Sequence, residues 1–267
     1  MGEVLGCQVS GAAAVIGADW RDRLRERLDG LGIRYDAAAP ERLAAYHALL
    51  ADWNGRMNLT GDTDFEASLD RHYADCLAPL GMEGLFPAGA SLIDVGSGAG
   101  FPGLPLAIAR PDLHVTLLDA LLKRTAFLNE AVKELGLDNV RVTHMRAEDG
   151  ARDPGLRERF GIAAARAVAP LPVLCELLLP FVRVGGRMIC YKGPAAREEL
   201  ACGSAAARLL GGGAVELRPV SLPSQPEWRH CVLTCEKIQE TVRQYPRKAG
   251  MPERRPLGVI GKARGDR

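Results

Sequence analysis

No apolar run in this 267-residue chain approaches the roughly 20 residues needed to cross a bilayer, which argues against an integral membrane protein. Net charge is also nearly absent: 34 Lys and Arg stand against 33 Asp and Glu, so the whole chain carries no field that points to a polyanion. Its seven cysteines, Cys7, Cys76, Cys175, Cys190, Cys202, Cys231 and Cys235, lack the even count and close spacing of a disulfide framework. They read as reduced thiols of a cytoplasmic protein. Cys231 and Cys235 are four apart, but no second Cys or His pair supplies the remaining ligands, so no metal is expected. Val4-Leu5-Gly6-Cys7 faintly resembles a lipoprotein cleavage box, yet only Met1, Gly2 and Glu3 precede it. Gly6 also stands where a myristoylation signal wants Ser or Thr. Residues 1–17 are read as a flexible extension.

What the chain does contain is a globular composition, 47% hydrophobic and 25% charged, enough for one large domain with a small helical cap. Its positive charge is gathered at one end. Residues 243–267 hold Arg243, Arg247, Lys248, Arg254, Arg255, Lys262, Arg264 and Arg267 against Glu253 and Asp266, a net +6. Such a stretch is either a phosphate-facing patch or a merely solvated tail.

Residues 18–88 read as a helical cap. Leu24, Leu28 and Leu31 recur at helical spacing, as do Leu43, Tyr46, Leu50 and Trp53 after a helix start at Pro40, and a third helix is expected over 65–80. From residue 89 to 240 short apolar runs alternate with amphipathic ones, the pattern of βαβ units on a parallel sheet. Strands are expected at 91–95, 114–118, 140–144, 162–168, 187–191, 215–220 and 229–236. Helices are expected at 102–109, 122–135, 171–182 and 196–210, with Gly185-Gly186 as the turn before a strand. The last two strands have no helix between them and should pair as an antiparallel hairpin, leaving 241–267 as a basic tail.

The sharpest motif is Asp94-Val95-Gly96-Ser97-Gly98-Ala99-Gly100-Phe101, placed between an apolar strand and a helix. Gly96, Gly98 and Gly100 let the backbone turn tightly and approach a ligand without Cβ interference. A dinucleotide fingerprint needs a third glycine where Phe101 stands, which disfavours a pyrophosphate and with it a nicotinamide-dependent oxidoreductase. Asp119, at the end of the second strand, is placed to accept the hydroxyl hydrogens of a ribose. Ala147 and Glu148 follow the third strand and can read an adenine edge, although a surface role suits Glu148 nearly as well. Asp94 either orients the loop or meets the cationic amino group of a methionine moiety; the second is preferred because an unpartnered buried carboxylate is costly.

Several further segments sharpen the reading: Trp53-Asn54-Gly55-Arg56-Met57-Asn58-Leu59-Thr60, Arg71-His72-Tyr73-Ala74-Asp75-Cys76-Leu77, Phe101-Pro102-Gly103, Leu118-Asp119-Ala120-Leu121-Leu122-Lys123-Arg124, Arg166-Ala167-Val168-Ala169-Pro170-Leu171, Lys192-Gly193 and Tyr245-Pro246-Arg247-Lys248-Ala249-Gly250. Together they resemble the bacterial small-subunit ribosomal RNA guanine-N7 methyltransferase family, over about residues 40–257. The resemblance implies a class I, Rossmann-like α/β methyltransferase: a seven-stranded, mostly parallel sheet with an antiparallel C-terminal hairpin. It implies S-adenosylmethionine as cofactor, held by Gly96, Phe101, Ala147, Glu148 and Arg166, and small-subunit (16S) ribosomal RNA or the small ribosomal subunit as partner of a monomeric enzyme. Ala120 and Leu122 depart from residues the family often carries there.

Guanine N7 carries a lone pair and no proton at neutral pH, so its attack on a sulfonium methyl needs alignment rather than a general base. Arg166, at a strand C-terminus, is the residue expected nearest the reacting groups, holding a cofactor carboxylate or an RNA oxygen, unless it is an ordinary ion pair. Arg56, Asn58, Arg71, His72, Lys123, Arg124, Lys192, Arg229, Arg247 and Lys248 are the candidates to hold RNA phosphates. His72 suits cap packing equally, and Trp53 and Tyr73 are read as core. The competing readings are a class I methyltransferase for a protein or small molecule, which would need no RNA, and a non-catalytic RNA-binding module.

Overall fold

Apolar strand runs bounded by glycine and followed by amphipathic segments form a parallel sheet once helices cover both of its faces. The computed structural model describes residues 18–258 apart from 62 and 167, so the expected extension and the tail from 259 onward lie outside the described residues. Its strands are β1 (Ser91–Val95), β2 (His114–Asp119), β3 (Val140–His144), β4 (Phe160–Arg166), β5 (Val182–Lys192), β6 (Gly212–Pro219) and β7 (Cys231–Lys237). They form one seven-stranded sheet in the order β3-β2-β1-β4-β5-β7-β6. The first five strands are parallel, and β7 runs antiparallel to both β5 and β6. This is the class I methyltransferase sheet, and the order reverses direction between β1 and β4, where open α/β sheets leave a crevice at their strand C-termini.

Alternation along β1 divides the core. Leu92 packs with Leu24, Leu43, Tyr46, Leu104 and Phe127 on one face, while Ile93 packs with Leu171, Leu174, Phe181 and Leu233 on the other. The first face is covered by α5 (Gly103–Ala109), α6 (Leu122–Glu134) and the N-terminal helices; the second by α8 (Leu171–Leu178) and α9 (Ala196–Leu209). In the cap, α1 (Ala18–Gly30) buries Leu24 and Leu28, and α2 (Ala39–Met57) buries Leu43, Tyr46 and Leu50. Helix α2 ends at Asn58, whose left-handed backbone (φ 46°) lets its N–H close on the Asn54 carbonyl.

The third cap helix is not the single regular element expected. Asp64 caps α3 (Phe65–Ser68) through the Ala67 N–H, a π-helical turn follows over Leu69–Ala74, then α4 (Asp75–Leu77) and a 3-10 turn (Ala78–Gly81). The wide turn presents Asp70, His72, Tyr73 and Asp75 inward, and all four are buried.

Two local expectations are corrected. Gly185-Gly186 is not a turn ahead of a strand: both lie within β5, where Gly185 takes φ 80° and a Cβ on Gly186 would sit 2.6 Å from the Gly161 carbonyl oxygen. These glycines make the irregularity opposite Phe160 and Ile162 and let two backbones meet. The helix expected over 171–182 ends at Leu178 and passes through a 3-10 turn (Leu179–Phe181), because Pro180 has no N–H to continue it.

Candidate functional site

The glycine bend follows β1. Gly96, Gly98 and Gly100 have φ of 74°, 58° and 104°, a backbone that side-chain-bearing residues rarely adopt. At Gly100 an added Cβ would also strike Leu104 at 2.6 Å. The bend is held by side chains from below and above. Asp119 accepts the Gly98 N–H (2.9 Å) and the Leu121 N–H (2.8 Å), Asp94 accepts the Gly103 N–H (3.0 Å), and the Tyr46 hydroxyl of the cap donates to the Ala99 carbonyl.

A cavity of about 460 Å³ opens over this bend at the point where the strand order reverses, within the range of about 300–1,000 Å³ usual for small-ligand sites. The bend contributes Gly96, Ser97, Gly98, Ala99 and Phe101; the cap contributes Leu59, Thr60 and His72; Arg124, Arg166 at the end of β4 and Val168 beyond it complete the wall. A Cβ on Gly96 would approach Val168 to 3.1 Å, so the absence of a side chain keeps this cradle open. His72 stacks on Phe101 (centroids 4.6 Å, 24° between planes), and the Arg166 guanidinium lies 5.7 Å from the same ring.

Arg166 is positioned by the wide turn. Its Nη1 donates to Cys76 Sγ (3.1 Å), its Nη2 to the Arg71 carbonyl (2.5 Å), and its Nε lies 3.5 Å from Asp75 Oδ2. Asp75 in turn accepts from His230 Nδ1 at 2.8 Å. Burial pushes the Cys76 thiol up to about 12, against the pull of Arg166, so it sits there as a neutral thiol. Asp75 and Cys76 stand in a segment that carries the family resemblance, but their role beside Arg166, like that of His230, depends on contacts 90 or more positions apart.

Asp94 is fully buried, and its Oδ1 finds no hydrogen-bond partner among the described residues. Burial pushes its carboxyl up to about 7, with the Gly103 N–H opposing. Its contact with Gly103 gives it the loop-orienting role, the other of the two expected for it, and it does not line the cavity. Asp119 is likewise an anchor of the bend, 2% exposed, with Arg124 at 3.5 Å.

Other expected residues gather elsewhere. Ala147 and Glu148 open α7 (Ala147–Gly150) outside the cavity lining, and Glu148 accepts the Gly250 N–H at 2.9 Å, before α10 (Met251–Arg254). Arg247, expected to hold phosphate, is committed instead to the buried Glu176: its Nη2 (2.6 Å), Nε and backbone N–H all donate to that carboxylate. Lys192 is committed to Glu199 (2.7 Å) and the Ala169 carbonyl (2.8 Å). Arg56 pairs with Asp52, and Lys123 reaches the Met57 carbonyl at 3.4 Å, next to the exposed Asn58. Arg71, Arg229 and Lys248 are exposed. Among the described residues no group of three or more His, Cys, Asp or Glu is arranged to hold a metal ion, and no helix is long and apolar enough to cross a membrane.

Comparison with known proteins places this site in a family. The model of the GidB family, rRNA small subunit methyltransferase G, matches residues 39–225. The chain is 41% identical over 236 residues to the Ribosomal RNA small subunit methyltransferase G of Clostridium beijerinckii, covering 88% of this chain and 98% of the relative. It is 43% identical over 234 residues to the protein of that name from Alkaliphilus metalliredigens, covering 88% and 97%. Among solved structures, a chain of the complex between the Haloferax volcanii Trm112 methyltransferase activator and the putative methyltransferase aligns with a TM-score of 0.51 at 12% identity, over 73% of this chain and 98% of that one; it supports the fold alone. On the strength of the family model and these near-full-length relatives, the chain belongs to the rRNA small subunit methyltransferase G family.

Proposed function

We propose that this protein transfers the methyl group of S-adenosylmethionine to N7 of a guanine in small-subunit (16S) ribosomal RNA, acting as a monomer in the cytoplasm. The observation that carries the reading is the cavity over the Gly96–Gly100 bend, at the strand-order reversal, with Arg166, His72 and Phe101 at its wall in a chain of this family. The cradle suits an adenosyl ligand: Gly96 carries no Cβ to close it toward Val168, and the Phe101 ring stands in its wall.

When bound, the cofactor supplies a methyl group already activated by its sulfonium. The chain's own residues orient and exclude water. Backbone of Gly96, Ser97 and Gly98 lines the ligand, and Asp119 holds that backbone in place. Arg166 presents a fixed positive charge to a cofactor carboxylate or an RNA oxygen, fixed because Asp75, Cys76 and the Arg71 carbonyl occupy part of its donor set. No proton must leave guanine N7, so the transfer calls for alignment rather than a general base. His72 and Arg124 in the cavity wall, and the exposed Arg71, Lys123, Arg56, Asn58, Arg229 and Lys248, are the residues assigned to hold the RNA.

The test is direct. The purified chain is incubated with radiolabelled S-adenosylmethionine and small-subunit RNA or particles, and the modified nucleoside is identified by mass. Incorporation as 7-methylguanosine is expected; incorporation only into protein or a small molecule, or cofactor binding without turnover, would overturn the assignment.

A further inference from the structure

A second cavity, of about 310 Å³, lies along the same edge of the sheet as Arg166, and nothing described so far uses it. It is bounded by Pro194 and Arg197 beyond the end of β5, by Pro219 at the end of β6, and by the loop that leads to Cys231 at the start of β7. We propose that it is a second RNA subsite, which takes an unpaired nucleotide flanking the target guanine; this rests on the methyltransferase reading above.

Three observations commit it to that occupant. The lining carries Arg197, Arg229 and His230 and no carboxylate, so an anionic guest is favoured and an acidic wall does not oppose it. Arg197 is exposed and makes no ion pair among the described residues, in contrast to Arg247 and Lys192, whose charges are already spent on Glu176 and Glu199. Arg229 lays only Nη1 on the Pro226 and Trp228 carbonyls, which leaves the other guanidinium donors outward. Trp228 lines the same cavity, half-buried, its ring 4.8 Å from the His230 ring, together with the apolar Pro219, Val220 and Leu222. An aromatic plate with flanking cations is the arrangement that holds an unstacked base and its phosphates.

The position is also right for a neighbour of the reacting base. His230 lines this cavity and donates to Asp75, and Asp75 faces Arg166 of the cofactor cavity, so one carboxylate separates the two. The loop itself is held to the cap, Ser224 and Gln225 both donating to Asp70 at 2.6 and 2.9 Å, which presents the subsite preformed.

The experiment uses the full chain with saturating S-adenosylmethionine and small ribosomal subunits as substrate. Arg197→Glu is expected to raise KM for the subunits about tenfold and to flatten its salt dependence, with cofactor affinity by calorimetry unchanged. Trp228→Ala is expected to cost about tenfold in RNA affinity and Trp228→Phe much less, which separates loss of stacking from loss of the fold. Wild-type KM and salt slope in Arg197→Glu would overturn the subsite, as would an effect seen with intact subunits but not with deproteinised RNA, since that points to a ribosomal protein as the occupant. If the unaltered chain methylates neither substrate, the methyltransferase reading is what fails; the affinity of the unaltered chain and of Arg197→Glu for a short single-stranded oligonucleotide then decides the cavity by itself, equal affinities overturning it.

Discussion

Two carboxylates in this protein are equally buried and have opposite surroundings. Glu176 on α8 is 0% exposed and receives three hydrogen-bond donors of Arg247, its backbone N–H and the Nε and Nη2 of one guanidinium edge. Asp94 under the glycine bend is also 0% exposed, yet it has one backbone N–H and an oxygen with no partner, and burial pushes its carboxyl up to about 7. A buried charge is tolerated when paired and expensive when not. The first is therefore a clasp that fastens the C-terminal segment to α8, and the second is a costly group retained beneath the glycine bend.

The comparison can be broken at either end. The largest effect is expected for Glu176→Ala, which leaves the half-buried Arg247 guanidinium with only the Arg255 carbonyl and should cost about 2–3 kcal/mol of stability in urea unfolding; a loss under about 1 kcal/mol would mean the clasp is decorative. Next is Arg166→Ala, whose removal of a charge-assisted contact at the cofactor cavity should lower kcat/KM by about 10- to 100-fold. Intact turnover together with intact cofactor affinity would take Arg166 out of the site. Asp94→Asn should act through pH. Because the folded carboxyl titrates near 7, above the unfolded value of about 3.9, its contribution to stability is full at pH below about 4 and is lost as pH rises through about 7. The Asn variant should therefore lose less melting temperature than the unaltered chain between pH 5 and 8, and parallel curves would contradict the unpaired state of Asp94. The smallest effect is expected for Lys248→Ala, one residue from the clasp but exposed and outside it: stability within about 0.5 kcal/mol, and a salt slope for RNA binding lower by about 0.7 if it meets a phosphate.

Much of the scaffold was legible because local pattern and global fold agree there. The run over 91–95 is apolar, ends in Gly96 and precedes a helix, and β1 and the bend occur as expected. The expected hairpin over 215–236 also forms, since nothing between its strands can build a helix. Less was legible where a residue's surroundings depend on a distant partner. Arg247 looked like a phosphate ligand because Glu176, 71 positions away, is invisible to local inspection. Glu148, expected to read an adenine edge, has one carboxylate oxygen engaged by the Gly250 N–H, 102 positions on, a contact equally hidden from local inspection. Gly185-Gly186 has the composition of a turn, and only the approach of the Gly161 backbone makes it part of a strand.

By itself, the order of residues determined the alternation of strands and helices, the place of the glycine bend and the family, because these rest on periodicity, on backbone freedom at particular glycines and on contiguous motifs. Which of the many basic side chains remain available to a polyanion was decided only in three dimensions. Charge is a property of a residue, but its availability is a property of its neighbours, and folding brought Glu176 to Arg247 and Glu199 to Lys192 while leaving Arg197 and Arg229 beside Trp228 at an open edge.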